Sequence, residues 1–154
     1  MRIKIEKLNE KDIPEIIKLH RLVVSEENSK YYPAGVIEEW LSEINEENIK
    51  LQTAKTEWLI ARSDEIVGFG QYSLETNEIL QINVSPLQKN KGIGRAIYLK
   101  IEEIFKKRLT KKISLNATVN SIGFYKKMGF KEKNRIFFSI KTKKVEMVRM
   151  EKEF

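Results

Sequence analysis

The sequence predicts a single α/β domain of mixed α+β type, residues 1–154, in which helices cover one mixed sheet. Three observations predict this class. The length of 154 residues suits one domain. A composition of 41% hydrophobic and 33% charged residues is that of a globular protein. Runs with the alternation of strands are interleaved with runs of helical spacing, in the order β-α-α-β-β-β-α-β-α-β-β.

The first half of the chain is predicted to hold a strand, two helices and then three strands. Tyr31-Tyr32-Pro33 breaks the chain between the two helices, and the polar residues 45–55 are expected to form a loop. Ser63-Asp64 is a short polar junction suited to a hairpin between the second and third strands. The predicted ranges are 2–7, 9–26, 36–44, 57–62, 65–74 and 78–84.

The second half opens with the strongest helix of the chain, residues 92–108, whose apolar side chains fall on one helical face. Lys106, Lys107 and Arg108 lie at its end, where cations suit the helix dipole. Gly129 can supply the left-handed turn that ends a second, short helix. The remaining predicted elements are a strand at 113–117, that helix at 121–128, and a hairpin of strands at 135–140 and 145–150.

Several classes of function are excluded by composition. The chain has no cysteine, which excludes disulfides, thiolate metal sites and cysteine nucleophiles. The N-terminus has no basic stretch followed by an apolar one, and no window approaches the roughly 18 apolar residues of a spanning helix. We therefore expect a cytoplasmic protein with no membrane partner and no metal site.

Charge is distributed unevenly about Pro86. Residues 1–85 carry 10 basic and 16 acidic side chains, whereas residues 86–154 carry 19 basic and 6 acidic ones. This asymmetry is compatible with an anionic ligand at the C-terminal half, and equally with a lysine-rich solvated surface. No nucleic-acid partner is expected, because the lysines are dispersed through amphipathic segments without an arginine-rich arm.

The segment VSPLQKNKGIGRAI, residues 84–97, leads from a strand through a basic loop into the strongest helix. A helix start exposes unpaired backbone amides and positive dipole charge, which favour anions. Gly92 and Gly94 allow close approach to the backbone, and Lys89, Lys91 and Arg95 add positive charge. The segment therefore predicts a diphosphate-binding loop.

Two common phosphate-binding loops do not fit this segment. A Walker A loop needs Gly-Lys-Ser or Gly-Lys-Thr, which is absent. A dinucleotide-binding turn needs a third small residue where Ile97 stands and an acidic residue about 20 positions on, where residues 115–117 have none.

The segment resembles the acetyl-CoA loop of the GNAT superfamily of N-acetyltransferases, in which Gln/Arg-x-x-Gly-x-Gly/Ala follows a strand and a proline. Lys89 stands at the usual Gln/Arg position. NSIGFYKKMGF, residues 120–130, resembles the second signature of that family, with Gly123 in place of the common alanine. The resemblance covers most of the chain from Glu57 onward.

The resemblance implies a largely antiparallel sheet whose fourth and fifth strands splay apart around the pantetheine arm of acetyl-CoA. It further implies that the Ile82 amide polarises the acetyl carbonyl and that residues 89–95 hold the phosphates. The implied cofactor-binding residues are Ile82, Asn83, Val84, Lys89, Asn90, Lys91, Gly92, Ile93, Gly94, Arg95, Asn120 and Tyr125.

Two residues are the implied catalysts. Tyr125, at the tyrosine position of the second signature, is the candidate general acid for the departing thiolate. Glu78, six residues before Val84, has the spacing of the catalytic glutamate in histone-type relatives and is a candidate base or a solvated turn carboxylate. Asn83 or Gln81 could instead position a water.

Other chemistry-bearing residues receive a weaker assignment. His20, the single histidine, is interpreted as a surface or packing residue, and Trp40 as part of the core or of a cleft wall. Tyr31 and Tyr32 are expected to line the acceptor pocket.

The resulting hypothesis is an acyltransferase that moves an acetyl group from acetyl-CoA directly to a primary amine of a small molecule or peptide. The alternative is a non-catalytic acyl-CoA-binding or regulatory module on the same fold. The acceptor and the oligomeric state stay open, with homodimers frequent in the family.

Overall fold

The computed structural model describes residues 2–154 and centres on a seven-stranded sheet with the order β1-β2-β3-β4-β5-β7-β6. Every neighbouring pair is antiparallel except β4 and β5, which are parallel. The predicted mixed α/β class with a mostly antiparallel sheet is confirmed. The elements are β1 (Lys4–Lys7), α1 (Ile13–Glu26), α2 (Ala34–Glu43), α3 (Glu46–Thr53), β2 (Glu57–Arg62), β3 (Ile66–Ser73), β4 (Glu78–Val84), α4 (Ile93–Lys107), β5 (Lys112–Thr118), α5 (Ile122–Lys127), β6 (Lys131–Ile140) and β7 (Lys143–Glu153).

Helix α4 packs on one face of the sheet. Its buried stripe, which includes Ile97, Ile101 and Phe105, joins the largest core cluster together with β5 and β7 side chains. The helix approaches β3 closely, since a Cβ on Gly70 would lie 2.7 Å from Ile97 Cγ2. This packing fixes the position of the helix N-terminus relative to β4.

Helices α1 and α3 cover the opposite face, and α2 packs beside them under β7. Ile16 and Leu19 of α1 share a second core cluster with Trp58 and Phe69 of the sheet. Val36 of α2 belongs to a third cluster that reaches β7. The two faces alternate along β2, where Leu59 and Ala61 join the largest cluster and Trp58 and Ile60 join the second, which is the period of a strand covered on both sides.

The prediction of a loop over residues 45–55 is wrong, because α3 occupies Glu46–Thr53. Asn45 caps this helix, since its side-chain oxygen accepts the Asn48 amide at 2.9 Å. Ile49 is the one buried residue of the helix. A single buried apolar side chain produces no amphipathic stripe, so the sequence pattern gave no sign of a helix.

The C-terminal hairpin is longer than predicted. Strands β6 and β7 continue to Lys131 and Glu153, and their register shifts between Glu132 and Asn134. The additional residues of β6 are charged or polar and exposed, so they lack the alternation that marks a half-buried strand.

Candidate functional site

A cavity opens where β4 and β5 separate. These parallel strands pair over only two residues of β4, Glu78 and Ile79. At the next position the β3–β4 register skips one residue, which leaves Leu80 unpaired on β4. A bulge of this kind bends a strand locally, so it accounts for the separation that the sequence analysis expected.

The cavity has a volume of about 680 Å³, which lies within the range of about 300–1,000 Å³ typical of ligand sites. Its lining comes from β4, the loop before α4, the start of α5, and parts of α1, α2, β5 and the β6–β7 hairpin. All twelve predicted cofactor-binding residues are among those that line it.

Backbone amides of β4 are directed into the gap. The Ser85 amide donates to the Val67 carbonyl at 2.8 Å, which marks a hydrogen-bonded pair of the β3–β4 ladder. Hydrogen-bonded pairs alternate along an antiparallel ladder, so Asn83 also bonds to β3. The amides and carbonyls of Ile82 and Val84 therefore point away from β3, toward the space that β5 has left.

The loop before α4 presents a second set of free amides. Asn90 and Gly92 adopt left-handed backbone with φ of 59° and 77°. The first helical bond runs from the Ala96 amide to the Gly92 carbonyl at 3.0 Å, and no side chain caps the helix. The amides of residues 93–95 thus lack helical partners. Within residues 2–154, no atom outside residues 91–93 lies within 4 Å of where a Gly92 Cβ would stand.

The three cations of this loop, Lys89, Lys91 and Arg95, differ in their side-chain partners. Lys89 forms an ion pair at 2.5 Å with Glu27, which directly follows α1, and this hydrogen bond raises the pKa of Lys89. Lys91 contacts a neutral partner, Gln88, at 3.0 Å. Arg95 is exposed and has no ion-pair partner among residues 2–154. Lys91 and Arg95 are therefore available to an anion, whereas Lys89 ties the loop to α1.

The second signature packs against the loop. A Cβ on Gly94 would lie 3.2 Å from the Phe124 ring, so the absence of a side chain at Gly94 allows close contact between α4 and α5. Asn120 accepts a hydrogen bond from Asn28 at 3.1 Å, and both asparagines line the cavity. Gly94, which the sequence predicts to allow approach of a ligand to the backbone, therefore also has a packing role.

Tyr125 offers a hydroxyl group to the cavity. Its side chain is buried between Phe124 and Phe130. Among the described residues the hydroxyl has no hydrogen-bond partner, and no fully buried side-chain N or O atom lacks one. The Tyr125 oxygen is therefore accessible from the cavity that the residue lines. Burial raises the pKa of Tyr125, which keeps the hydroxyl protonated.

The Glu78 side chain forms an ion pair with Arg149. Its carboxylate accepts a hydrogen bond from Arg149 at 2.6 Å, and Arg149 also contacts Ser114 and Asn116 at 2.7 and 3.2 Å. Glu78 is not among the residues that line the cavity. The structure thus places it in an ion pair between β4 and β7.

His20 of α1 lies in the cavity wall and packs edge-on against Phe69, with ring centroids 5.4 Å apart. Burial lowers the pKa of His20 to about 4. The imidazole is therefore neutral at physiological pH, so one ring nitrogen can donate and the other can accept a hydrogen bond. The sequence offered no sign of this position, because a lone histidine within a helix has no distinguishing pattern.

The lowered pKa of His20 predicts a pH-dependent stability. Between about pH 6.5 and about pH 4 the unfolded chain binds the proton more readily, so the free energy of unfolding decreases as pH falls. We expect the melting temperature of the wild type to drop by about 3 °C more than that of His20→Gln between pH 7 and pH 5. Thermal scans of both proteins at several pH values measure this, and equal drops would contradict it.

The end of the cavity toward α2 and the β6–β7 hairpin is apolar. Its side chains are Trp40, Phe138, Ile140, Val145 and Met147. Apart from Trp40, which the sequence analysis left as core or cleft wall, these residues had not been identified as part of the site. They come together through contacts between distant segments that local patterns do not encode.

Tyr31 and Tyr32 are not among the cavity residues, contrary to expectation. Tyr31 is exposed, and the buried Tyr32 hydroxyl donates to the Glu146 carbonyl at 2.6 Å and accepts the Val119 amide at 2.9 Å. Tyr32 therefore anchors the chain before α2 to β7 without reaching the cavity.

Within residues 2–154, no group of three or more metal-ligating side chains is arranged to hold a metal ion. No helix in the same range is long and apolar enough to cross a membrane.

Comparison with known proteins gives consistent matches. The family model for the acetyltransferase (GNAT) domain matches residues 18–154. The uncharacterized protein YdhI of Bacillus subtilis is 34% identical over 74 residues, which make up 46% of this chain and 46% of that protein.

Solved structures are similar over the whole chain. The GCN5-related N-acetyltransferase from Rhodopseudomonas palustris has a TM-score of 0.93 at 18% identity, with 100% of this chain and 97% of that chain covered. The PaiA N-acetyltransferase from Thermoplasma acidophilum, solved in complex with coenzyme A, has a TM-score of 0.84 at 26% identity, with 100% of both chains covered.

Proposed function

The chain belongs to the GNAT acetyltransferase family, and from this membership we propose that it transfers an acetyl group from acetyl-CoA to a primary amine of a small molecule or peptide. The observation that carries the proposal is the pair of unpartnered amide sets, on β4 and at the start of α4, that line one cavity.

The donor set fits a diphosphate. A group with negative charge is favoured by the free amides of residues 93–95 and by the cations Lys91 and Arg95. The open space beside Gly92 leaves room for such a group. The exposed amides and carbonyls of Ile82 and Val84 fit an amide-containing chain such as pantetheine, which can pair with a strand edge. These residues would hold acetyl-CoA, which when bound supplies the activated thioester carbonyl.

Two groups of the chain suit the transfer itself. The Ile82 amide faces the gap and can donate to an oxygen on which negative charge develops during the reaction, where a preorganised donor is most effective. The Tyr125 hydroxyl retains its proton at neutral pH and can donate it to a departing thiolate. Glu78 is not proposed as the base, because its carboxylate is held by Arg149.

The acceptor end of the cavity supports an amine on an apolar or aromatic body. Trp40, Phe138 and Met147 contribute apolar surface there. Among the described residues that line the cavity, Glu27 is the one carboxylate, and its charge is paired with Lys89. A second ammonium group on the acceptor would therefore find no partner, so polyamines should be poor substrates.

A panel of amines scored by CoA release tests the proposal. The panel contains aromatic amines, aliphatic monoamines, polyamines and peptides with free N-termini. We expect turnover with at least one apolar monoamine or apolar N-terminal peptide. Binding of acetyl-CoA without turnover of any amine would instead support the non-catalytic acyl-CoA-binding module.

A further inference from the structure

A row of side-chain hydrogen bonds runs from the body of the protein to the cavity. Thr56, just before β2, accepts the Gln71 side-chain amide at 3.0 Å. Gln71 accepts from Gln81 at 2.8 Å, and Gln81 accepts from Asn83 at 2.7 Å. Gln71 is buried, and Gln81 and Asn83 line the cavity. We call Thr56, Gln71, Gln81 and Asn83 the amide relay.

The hydrogen bonds of Thr56 determine which way the Gln71 side-chain amide is oriented. The Trp58 indole N–H, which can only donate, points at the Thr56 oxygen at 3.1 Å. The Thr56 hydroxyl donates its own proton to the Gln52 carbonyl, which can only accept, at 2.7 Å. Thr56 therefore has only lone pairs left for Gln71. The amide nitrogen of Gln71 must face Thr56, and its oxygen must face Gln81.

The orientation of the Gln71 side-chain amide fixes the orientations of the Gln81 and Asn83 side-chain amides. Because Gln71 presents its oxygen, Gln81 donates its NH₂ group and presents its own oxygen to Asn83. Asn83 in turn uses its NH₂ group, which leaves Oδ1 at the end of the row. Among the described residues Oδ1 accepts no hydrogen bond, and no side-chain oxygen is sealed without a partner. Oδ1 is therefore accessible from the cavity.

The position of Asn83 makes this orientation chemically relevant. Asn83 follows Ile82, whose amide faces the gap, and it pairs with Phe69, against which the neutral His20 packs. Resting on the function proposed above, we propose that Asn83 Oδ1 accepts a hydrogen bond from the N–H of the acceptor amine, and that Thr56 keeps the oxygen in that orientation through Gln71 and Gln81. Thr56, Gln71 and Gln81 are positioning residues, since they act on the amine only through Asn83.

Steady-state kinetics of Thr56→Val and Thr56→Ser test this inference with the best amine of the panel. Valine removes the nearer acceptor of the Gln71 side-chain amide and leaves only the Gln52 side-chain oxygen at 3.3 Å, whereas serine retains both. Thr56 is not among the residues that line the cavity. We expect Thr56→Val to raise the KM for the amine about tenfold, with the KM for acetyl-CoA within about twofold of the wild type. Thr56→Ser should behave as the wild type in both parameters.

Nuclear magnetic resonance of the side-chain amides separates this inference from the proposed function. In the wild type and in Thr56→Ser we expect slow hydrogen exchange for the NH₂ groups of Gln71 and Gln81, and faster exchange in Thr56→Val. Fast exchange in the wild type overturns the amide relay regardless of turnover. An amine KM unchanged in Thr56→Val overturns the role of Asn83, as does an equal rise in both KM values. If the NH₂ groups of Gln71 and Gln81 exchange slowly in a wild type that turns over no amine, the proposed function is overturned and the amide relay is not.

Discussion

Replacement of Tyr125 by phenylalanine is expected to lower kcat by about 100-fold or more, the usual contribution of a positioned general acid. The hydroxyl belongs to a residue that lines the cavity and has no hydrogen-bond partner within residues 2–154, so its removal breaks no hydrogen bond of that part of the chain. The phenylalanine ring keeps the edge-on contacts with Phe124 and Phe130. The KM for acetyl-CoA and the melting temperature should therefore change little.

Tyr98→Phe is the matched control for this measurement. Tyr98 is also buried, but its hydroxyl bonds to Glu102 and Lys152 and does not line the cavity. We expect this variant to lose stability and retain kcat, the reverse of Tyr125→Phe. If Tyr125→Phe turns over as fast as the wild type at every pH tested, Tyr125 is not the acid.

Replacement of Gly92 by aspartate is expected to weaken acetyl-CoA binding by about 10- to 100-fold, because it puts a negative charge where the diphosphate is proposed to lie. The position is open, since no atom of the described chain outside residues 91–93 lies within 4 Å of the added Cβ, so the Cβ causes no clash. Its φ of 77° is left-handed, which aspartate tolerates better than most residues.

Gly92→Asn isolates the charge from the backbone effect. Asparagine has nearly the same shape and the same tolerance of left-handed backbone, but it is neutral. We expect this variant to bind acetyl-CoA within a few-fold of the wild type, as measured by titration calorimetry. Similar losses in both variants would mean that the loop geometry, and not the charge, determines affinity.

The part of the cavity lining that comes from β4 and the loop before α4 could be predicted because its signals are local. Gly92, Gly94 and the apolar stripe of α4 lie within one continuous segment, and the strand before them ends at Val84. A helix start after a glycine loop has the same electrostatic character in any fold. The residues of this segment line the cavity as a group.

The rest of the site depends on contacts between distant segments. Glu78 and Arg149 are 71 positions apart, and their ion pair becomes visible only when β7 lies beside β5. The same is true of Lys89 and Glu27, which join the loop before α4 to the end of α1. Helix α3 was missed because only Ile49 is buried, so tertiary packing and not periodicity determines it.

The central claim is that amides at the start of α4 and along β4 bind acetyl-CoA. An acetyl-CoA titration followed by ¹H–¹⁵N spectra of the assigned protein tests it most directly. We expect the largest shift changes at Gly92, Ile93, Gly94 and Arg95, with a second group at Ile82 and Val84. Saturating acetyl-CoA that leaves these resonances unmoved, or that moves only resonances outside the cavity, would contradict the account.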